Sequence, residues 1–178
     1  MSLSIYKPNY KNSGCGFSFQ CGIDQKSNNV SLYVKAIQQH SWDSVKKKGL
    51  FQKNAGDPEK NITVKFNEFE IGEFISSLQK RREYVTFHSF GDDSTVIKLV
   101  PWDKPLKDSK QTSPCFGLSF TKNGSQSFKT SLEAGEIECL IEFFKFCLQK
   151  SYDLKFKAQL KKLQSSSNNQ QSQNQAPF

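Results

Sequence analysis

The sequence has no long apolar run. No stretch approaches the roughly 20 residues that a membrane-spanning helix needs, and the first residues contain no apolar signal core. We therefore expect a soluble, intracellular protein with no membrane association.

Cysteine and histidine are few, and their spacing does not suit a metal. The five cysteines include no CxxC pair, and His40 and His88 are far apart along the chain. Neither a zinc site nor a disulfide framework is indicated. We interpret the cysteines as small buried side chains in a reducing compartment, and we expect no metal and no cofactor.

Recognisable catalytic motifs are also missing. The sequence has no GxSxG elbow, no glycine loop that would cradle phosphate, and no HExxH helix. Asp92 and Asp93 form a carboxylate pair, but they lie in a predicted turn, where Asp is favoured for backbone reasons. We therefore expect a protein that is not an enzyme.

What the sequence does contain is a strand–helix unit that occurs twice. Residues 62–78 (ITVKFNEFEIGEFISSL) align without a gap to residues 128–144 (FKTSLEAGEIECLIEFF). Both segments begin with strand-like alternation and change to helical spacing at a Glu-Ile pair. Two copies are too few for a solenoid. The pattern predicts one pseudo-symmetric α+β domain with two antiparallel four-stranded sheets, each followed by a helix.

The predicted boundaries follow the alternation of apolar residues and the turn signals. Residues 1–12 form an extended arm, 13–162 the domain, and 163–178 a polar tail that we expect to be disordered because it has little to bury. The tail ends in Pro177-Phe178, which resembles the docking tip of bacterial single-strand-binding proteins and is a candidate contact for a protein partner. The acidic residues that normally precede such a tip are absent, so chance is the favoured explanation of the match.

The individual elements are predicted from the same signals. Gly91-Asp92-Asp93-Ser94 and Asn123-Gly124 indicate hairpin turns, and the prolines between 101 and 114 indicate a loop. In the second helix, Phe143 and Phe146 widen the apolar stripe, which favours packing against a second body, of which another copy of the chain is one candidate. The predicted strands are 15–21, 30–36, 49–53, 62–66, 84–90, 95–100, 116–121 and 127–132, and the helices are 69–80 and 133 onward.

Charge and aromatic residues point to an anionic partner. The formal net charge is +8, and sixteen Phe and two Trp are present. On the polar faces of the predicted strands, aromatic residues alternate with lysines, which suits stacking on bases and neutralising phosphates of a single strand. A solvated sheet face would explain any one such pair. The candidate stacking residues are Tyr33, Trp42, Phe51 and Trp102, and the candidate phosphate contacts are Lys35, Lys46, Lys47, Lys48, Lys53, Lys65 and Lys98.

Several segments resemble the Whirly family of single-stranded-DNA-binding proteins. The strand-into-helix segment contains Glu70-Ile71-Gly72, and VTFHSF, IKLVPW and FGLSF (85–90, 97–102 and 116–120) follow in the family's order. The resemblance runs from about Cys15 to Tyr152. Residues 12–19 (NSGCGFSF) depart from the family pattern, because Asn12 and Gly14 stand where plant members carry lysines.

This resemblance implies a function and an assembly. It implies largely sequence-independent binding and protection of single-stranded DNA, in replication, recombination or repair, by a homotetramer with its helices at the centre and its sheets outside. Related proteins with this fold bind guide RNA in mitochondria. An RNA-binding chaperone, or a transcription regulator that uses the same surface, therefore stays open as the alternative.

Overall fold

Two four-stranded antiparallel sheets and two helices make up the computed structural model, which describes residues 1–24, 29–106 and 110–173. The first sheet has the order β1-β2-β3-β6, and the second has β10-β9-β8-β7. A separate hairpin, β4-β5, and a short 3-10 helix (Gln52–Asn54) lie between β3 and β6. The strands are β1 (Ser2–Lys7), β2 (Cys15–Asp24), β3 (Asn29–Gln38), β4 (Ser41–Asp43), β5 (Lys48–Leu50), β6 (Asn61–Phe66), β7 (Tyr84–Phe90), β8 (Asp93–Pro105), β9 (Thr112–Lys122) and β10 (Gln126–Leu132). The helices are α1 (Glu68–Lys80) and α2 (Ala134–Gln173).

The repeat seen in the sequence is a repeat of structure. Strand β6 leads into α1, and β10 leads into α2. In α1, Asn67 caps the helix and Glu70 reaches back to the Asn67 N–H, which forms a complete capping box. In α2, Glu136 likewise accepts a hydrogen bond from the Glu133 N–H at 2.9 Å. The glutamate of each Glu-Ile pair therefore caps its helix.

The α+β class, the antiparallel sheets and the two helices are confirmed, but the twofold plan is only partly matched. The predicted strand at 49–53 is wrong as a member of the first sheet. Residues Lys48–Leu50 pair with Ser41–Asp43 in a two-stranded sheet that has no counterpart in the second half. The place of that strand is taken by β1, so the segment predicted as a free arm is the edge of the first sheet.

The largest further differences from the predicted boundaries lie in the second half of the chain. Strand β8 continues through Pro105 and β9 begins at Thr112, so the predicted proline loop is shorter, with 107–109 outside the described residues. Proline is tolerated there because Pro101 and Pro105 lie on a long two-stranded extension, where fewer ladder bonds are needed.

Helix α2 continues to Gln173, so residues 163–173 of the predicted disordered tail are helical. A helix satisfies its own backbone hydrogen bonds without burying side chains. The Pro177-Phe178 tip lies outside the described residues.

One core fills the space between the inner faces of the two sheets and the helices. Aromatic rings from both halves meet there, with centroids 5.3 Å apart for Phe17–Phe120, 5.7 Å for Phe19–Phe144 and 5.3 Å for Phe74–Phe144. Phe143 is 5% exposed and Phe146 packs against the same core. The widened stripe of α2 is therefore explained within one chain, because the helix contacts α1 and both sheets.

Three of the five cysteines are buried, as expected from the sequence. All five are free thiols. Cys15, Cys115 and Cys147 are buried and Cys21 is half-buried, whereas Cys139 is exposed on α2. Burial raises the pKa of the Cys15 thiol, which keeps it protonated and unreactive.

Candidate nucleic-acid interface

The outer face of the first sheet, the face turned away from the core, is polar and carries both aromatic rings and lysines. The strand register aligns its side chains in rows across the sheet. Inward-facing positions of the same strands, such as Phe17 and Val34, are buried in the core. The rows are Ser2-Gln20-Tyr33-Lys65, Ser4-Ser18-Lys35-Thr63 and Tyr6-Gly16-Ile37-Asn61.

Three of the predicted residues meet in this face. Tyr33 and Lys65 are direct cross-strand partners, and the Lys65 Nζ lies 5.8 Å from the centroid of the Tyr33 ring. Lys35 lies in the next row, and its Nζ donates a hydrogen bond to the Ala55 carbonyl at 3.2 Å. Tyr33 is 36% exposed, so part of its side chain is accessible to a base.

Phe51 does not lie next to Tyr33, although both are in the first half of the chain. It contacts Tyr6 at the far end of the outer face, with ring centroids 5.0 Å apart. The Tyr6 ring lies against the backbone of Gly16, where a β-carbon would come within 2.3 Å of it. Only glycine permits this approach. Sequence inspection missed Tyr6, because β1 was expected to be an arm.

The hairpin β4-β5, which belongs to neither four-stranded sheet, carries a cluster of lysines. Trp42 pairs with Gly49 and is half-buried, and Asp43 pairs with Lys48. The Asp43 carboxylate accepts hydrogen bonds from the Val45 and Lys46 N–H groups, which fixes the turn. The three lysines 46–48 are exposed, as is Lys53 on the 3-10 helix.

The outer face of the second sheet carries the remaining two predicted residues. Lys98 and Trp102 lie on β8 and share one face, because side chains alternate along a strand. Two exposed apolar residues on the neighbouring edge strand, Val85 and Phe87, lie on the same face, since Val85 pairs with Lys98. Phe87 is 62% exposed and Trp102 is 41% exposed. Phe87 was not among the residues predicted from the sequence, because apolar and polar residues alternate only weakly along its strand.

The edges of the two sheets face each other across a cleft of about 500 Å³. Strand β6 is the edge of the first sheet and β7 the edge of the second. The ring of Phe90, 92% exposed, stands at this cleft. Its lining consists of Tyr33, Ile62, Thr63, Val64, Lys65, His88, Ser89, Phe90, Asp93 and Thr95.

Asp93 lines this cleft, and a second carboxylate, Glu70, contacts the lining residue His88. The Nε2 of His88 lies 2.8 Å from Glu70 Oε1, outside hydrogen-bonding geometry. Hydrogen bonds from Asn123 and Lys122 hold the pKa of Asp93 below its ordinary value. Asp93 is therefore ionised at neutral pH, and it accepts bonds that join the two hairpin tips of the second sheet.

The predicted residues thus form three groups instead of one. Tyr33, Lys35 and Lys65 lie together beside the cleft, Lys98 and Trp102 lie on the second sheet, and the others surround the β4-β5 hairpin. Within the described residues, no three His, Cys, Asp or Glu side chains come together as metal ligands. In that same part of the chain, no helix is both long and apolar enough to cross a membrane.

The fold and the site define an α+β protein whose two sheets turn aromatic and basic side chains outward. Among solved structures, the chain is similar to the plant transcriptional regulator PBF-2 at 14% identity and a TM-score of 0.53, covering 89% of this chain and 86% of that one. It is also similar to WHY3 from Arabidopsis thaliana (18% identity, TM-score 0.53, 89% and 92% covered) and to WHY1 from Arabidopsis thaliana (17%, 0.53, 94% and 92%).

These are Whirly proteins, and the likeness shows that the chain has a Whirly-like fold. The fold expected from the sequence resemblance is confirmed. No protein-family model matches the chain, and no curated protein sequence matches it.

Proposed function

We propose that this protein binds single-stranded DNA without strong sequence preference and has no catalytic role. The observation that carries the proposal is the cleft between β6 and β7, where the open ring of Tyr33 lies beside the Lys65 ammonium. A stacked base and its phosphate need this combination. The net charge of +8 supplies a long-range attraction for a polyanion.

The shape of the surface favours a single strand over a duplex. Bases can stack on Tyr33 or enter the cleft only if they are unpaired, because duplex bases are stacked on each other. The outer faces offer serine, threonine and lysine for the backbone, which carry no base specificity. We place the phosphate contacts at Lys35 and Lys65 beside the cleft, with Lys98 and the hairpin lysines extending the path.

The direct test is a titration of the protein with oligo-dT at several salt concentrations. If about four phosphates are neutralised, the logarithm of affinity should fall against the logarithm of salt with a slope near −3. An affinity for oligo-dT that does not change with salt would refute the electrostatic contribution to binding. Equal affinity for a duplex of the same length would refute base stacking.

An RNA-binding chaperone or a transcription regulator is the second candidate. The likeness to the plant transcriptional regulator PBF-2 favours the regulator. Competition between DNA and RNA oligomers of one sequence separates DNA binding from RNA binding. Preference for a defined promoter-like sequence over oligo-dT would favour regulation over general protection in replication, recombination or repair.

We further propose that the chain assembles into a homotetramer through its helices. The Whirly-like fold supports this assembly. The widened apolar stripe of α2 does not, because Phe143 is buried within one chain and is not available at a subunit interface. Light scattering should give a mass about four times the 20.3 kDa of one chain. A monomer mass at micromolar concentration would reject the tetramer while leaving DNA binding to be judged by the titration.

A further inference from the structure

Helix α2 carries an apolar stripe beyond the point where it packs on the core. Tyr152, Phe156, Leu160 and Leu163 are 57%, 62%, 42% and 59% exposed. At 3.6 residues per turn they fall within about 80° of one another and extend over about 16 Å. This spacing is that of one continuous face over three turns.

The stripe is not the face through which α2 packs on the rest of the chain. Ser151 is buried against Glu68 of α1, and Leu154 is half-buried. Leu154 and Lys157 line a cleft of about 270 Å³ against Ile23 and Val30 of the first sheet. These residues lie roughly 100° or more around the helix from the centre of the stripe.

Lysines flank the stripe on both sides. Residues 152–165 contain four lysines, Lys155, Lys157, Lys161 and Lys162, and one acidic residue, Asp153, which pairs with Lys150. Lys155 and Lys162 fall on one side of the stripe, and Lys157 and Lys161 on the other, from the helical period. The exposed end of α2 is therefore a basic amphipathic helix.

We propose that this stripe binds an acidic amphipathic helix of a partner protein. A helix with apolar residues at the same spacing would cover the four exposed side chains, and carboxylates along its flanks would meet the lysines. A second copy of the stripe is a poorer fit, because lysine would face lysine in either orientation, so the proposed tetramer would use other faces of the helices. A nucleic acid would meet the charges but would leave the two leucines unburied.

The test uses the full chain and a synthetic helical peptide with leucines at i, i+4, i+8 and i+11, flanked by glutamates. We expect saturable binding by calorimetry. The double variant Phe156→Glu/Leu160→Glu should weaken it at least about tenfold. Lys157→Glu/Lys161→Glu should also weaken it, and a peptide with lysines in place of the glutamates should then bind this variant better than the wild type.

Val45→Glu is the matched control, since Val45 is 89% exposed on the β4-β5 hairpin, and it should leave peptide binding unchanged. Circular dichroism should stay the same in all variants, and oligo-dT should still bind each of them. Three results would overturn the proposal. In the first, the stripe variants leave peptide binding unchanged. In the others, they abolish self-association, or they abolish binding to oligo-dT or to phosphatidylserine vesicles.

Discussion

Single residues decide how the cleft would hold a base. Tyr33 has a matched counterpart in Tyr10, which lies between β1 and β2. Lys11 Nζ stands 5.8 Å from the Tyr10 ring, the same distance as Lys65 from Tyr33. The two pairs share their chemistry and differ in place, because Tyr10 does not line the cleft.

Replacing Tyr33 by alanine should weaken oligo-dT binding by roughly 5- to 150-fold, the loss expected for one stacked base. Tyr33→Phe should keep the affinity, since the ring provides the contact. Fluorescence anisotropy with labelled oligo-dT measures both. Tyr10→Ala should bind like the wild type, and an equal loss in the two alanine variants would contradict the assignment of the cleft.

Glu68 links the two helices and makes stability depend on pH. Its carboxylate accepts hydrogen bonds from Lys155 Nζ at 2.5 Å and from Ser151 Oγ. Lys155, and then Ser151, lower the pKa of Glu68 relative to an unfolded carboxyl. Ionised Glu68 therefore stabilises the fold above the unfolded pKa of about 4.3, and that contribution is lost as pH falls through the lower folded pKa.

Glu68→Gln should lower the free energy of unfolding by about 1 kcal/mol at pH 7, a value suited to a partly exposed pair. The difference from the wild type should shrink below pH 4. Urea denaturation at each pH measures it. Glu142→Gln, which removes an exposed pair with Lys145, is the control and should change little. A constant deficit for Glu68→Gln at all pH values would argue against the ion pair.

Secondary-structure elements show what could be predicted from this sequence. Strands β6 and β10 and the starts of both helices were predictable, because alternation changes to helical spacing at a capping glutamate. Strand β1 was not, since Leu3 is only part-buried and serines fill the outer positions. The cleft could not be foreseen at all, because it depends on how two sheet edges meet in space.

Capping at α1 gives a prediction at this scale. Asn67→Ala should cost about 1 kcal/mol, because the Glu70 N–H loses its acceptor. The midpoint of thermal unfolding should fall. Asn67→Ser should restore most of the loss, since serine also caps. An unchanged midpoint for Asn67→Ala would show that the cap contributes nothing.

The β4-β5 hairpin should be separable from the fold. Because it forms its own sheet, reversing the charge of lysines 46–48 to glutamate should leave the circular dichroism spectrum unchanged. Affinity for oligo-dT should fall, and the salt slope should become shallower by about 2 if all three contact phosphate. Reversing Lys157, Lys161 and Lys162 changes net charge equally and is the control. A similar loss in both triples would indicate general attraction only.

Across the whole molecule, the two halves share one core. Phe17 and Phe19 come from the first half and meet Phe120 and Phe144 from the second. Glu68 and Lys155 join the helices of the two halves. The chain passes between the halves at Arg81, an exposed residue with φ of 50°. The core therefore cannot be divided there without exposing large rings.

Fragments 1–82 and 83–178 should each be largely unfolded alone, because each would expose apolar rings that the other half covers. Mixed or co-expressed, they should form a complex with the near-ultraviolet circular dichroism of the intact protein. Size-exclusion chromatography would detect the complex. A fragment that folds cooperatively by itself would contradict the shared core.

The interlocking rings also bear on how such a chain could arise. If the repeat came from duplication of one strand–helix unit, the unit before duplication could not have been a stable monomer. It would have existed as a pair of identical chains, each completing the interior of the other. Joining them made the pairing permanent and freed the two copies to diverge, which allowed one to acquire the lysine hairpin and the other the long helix.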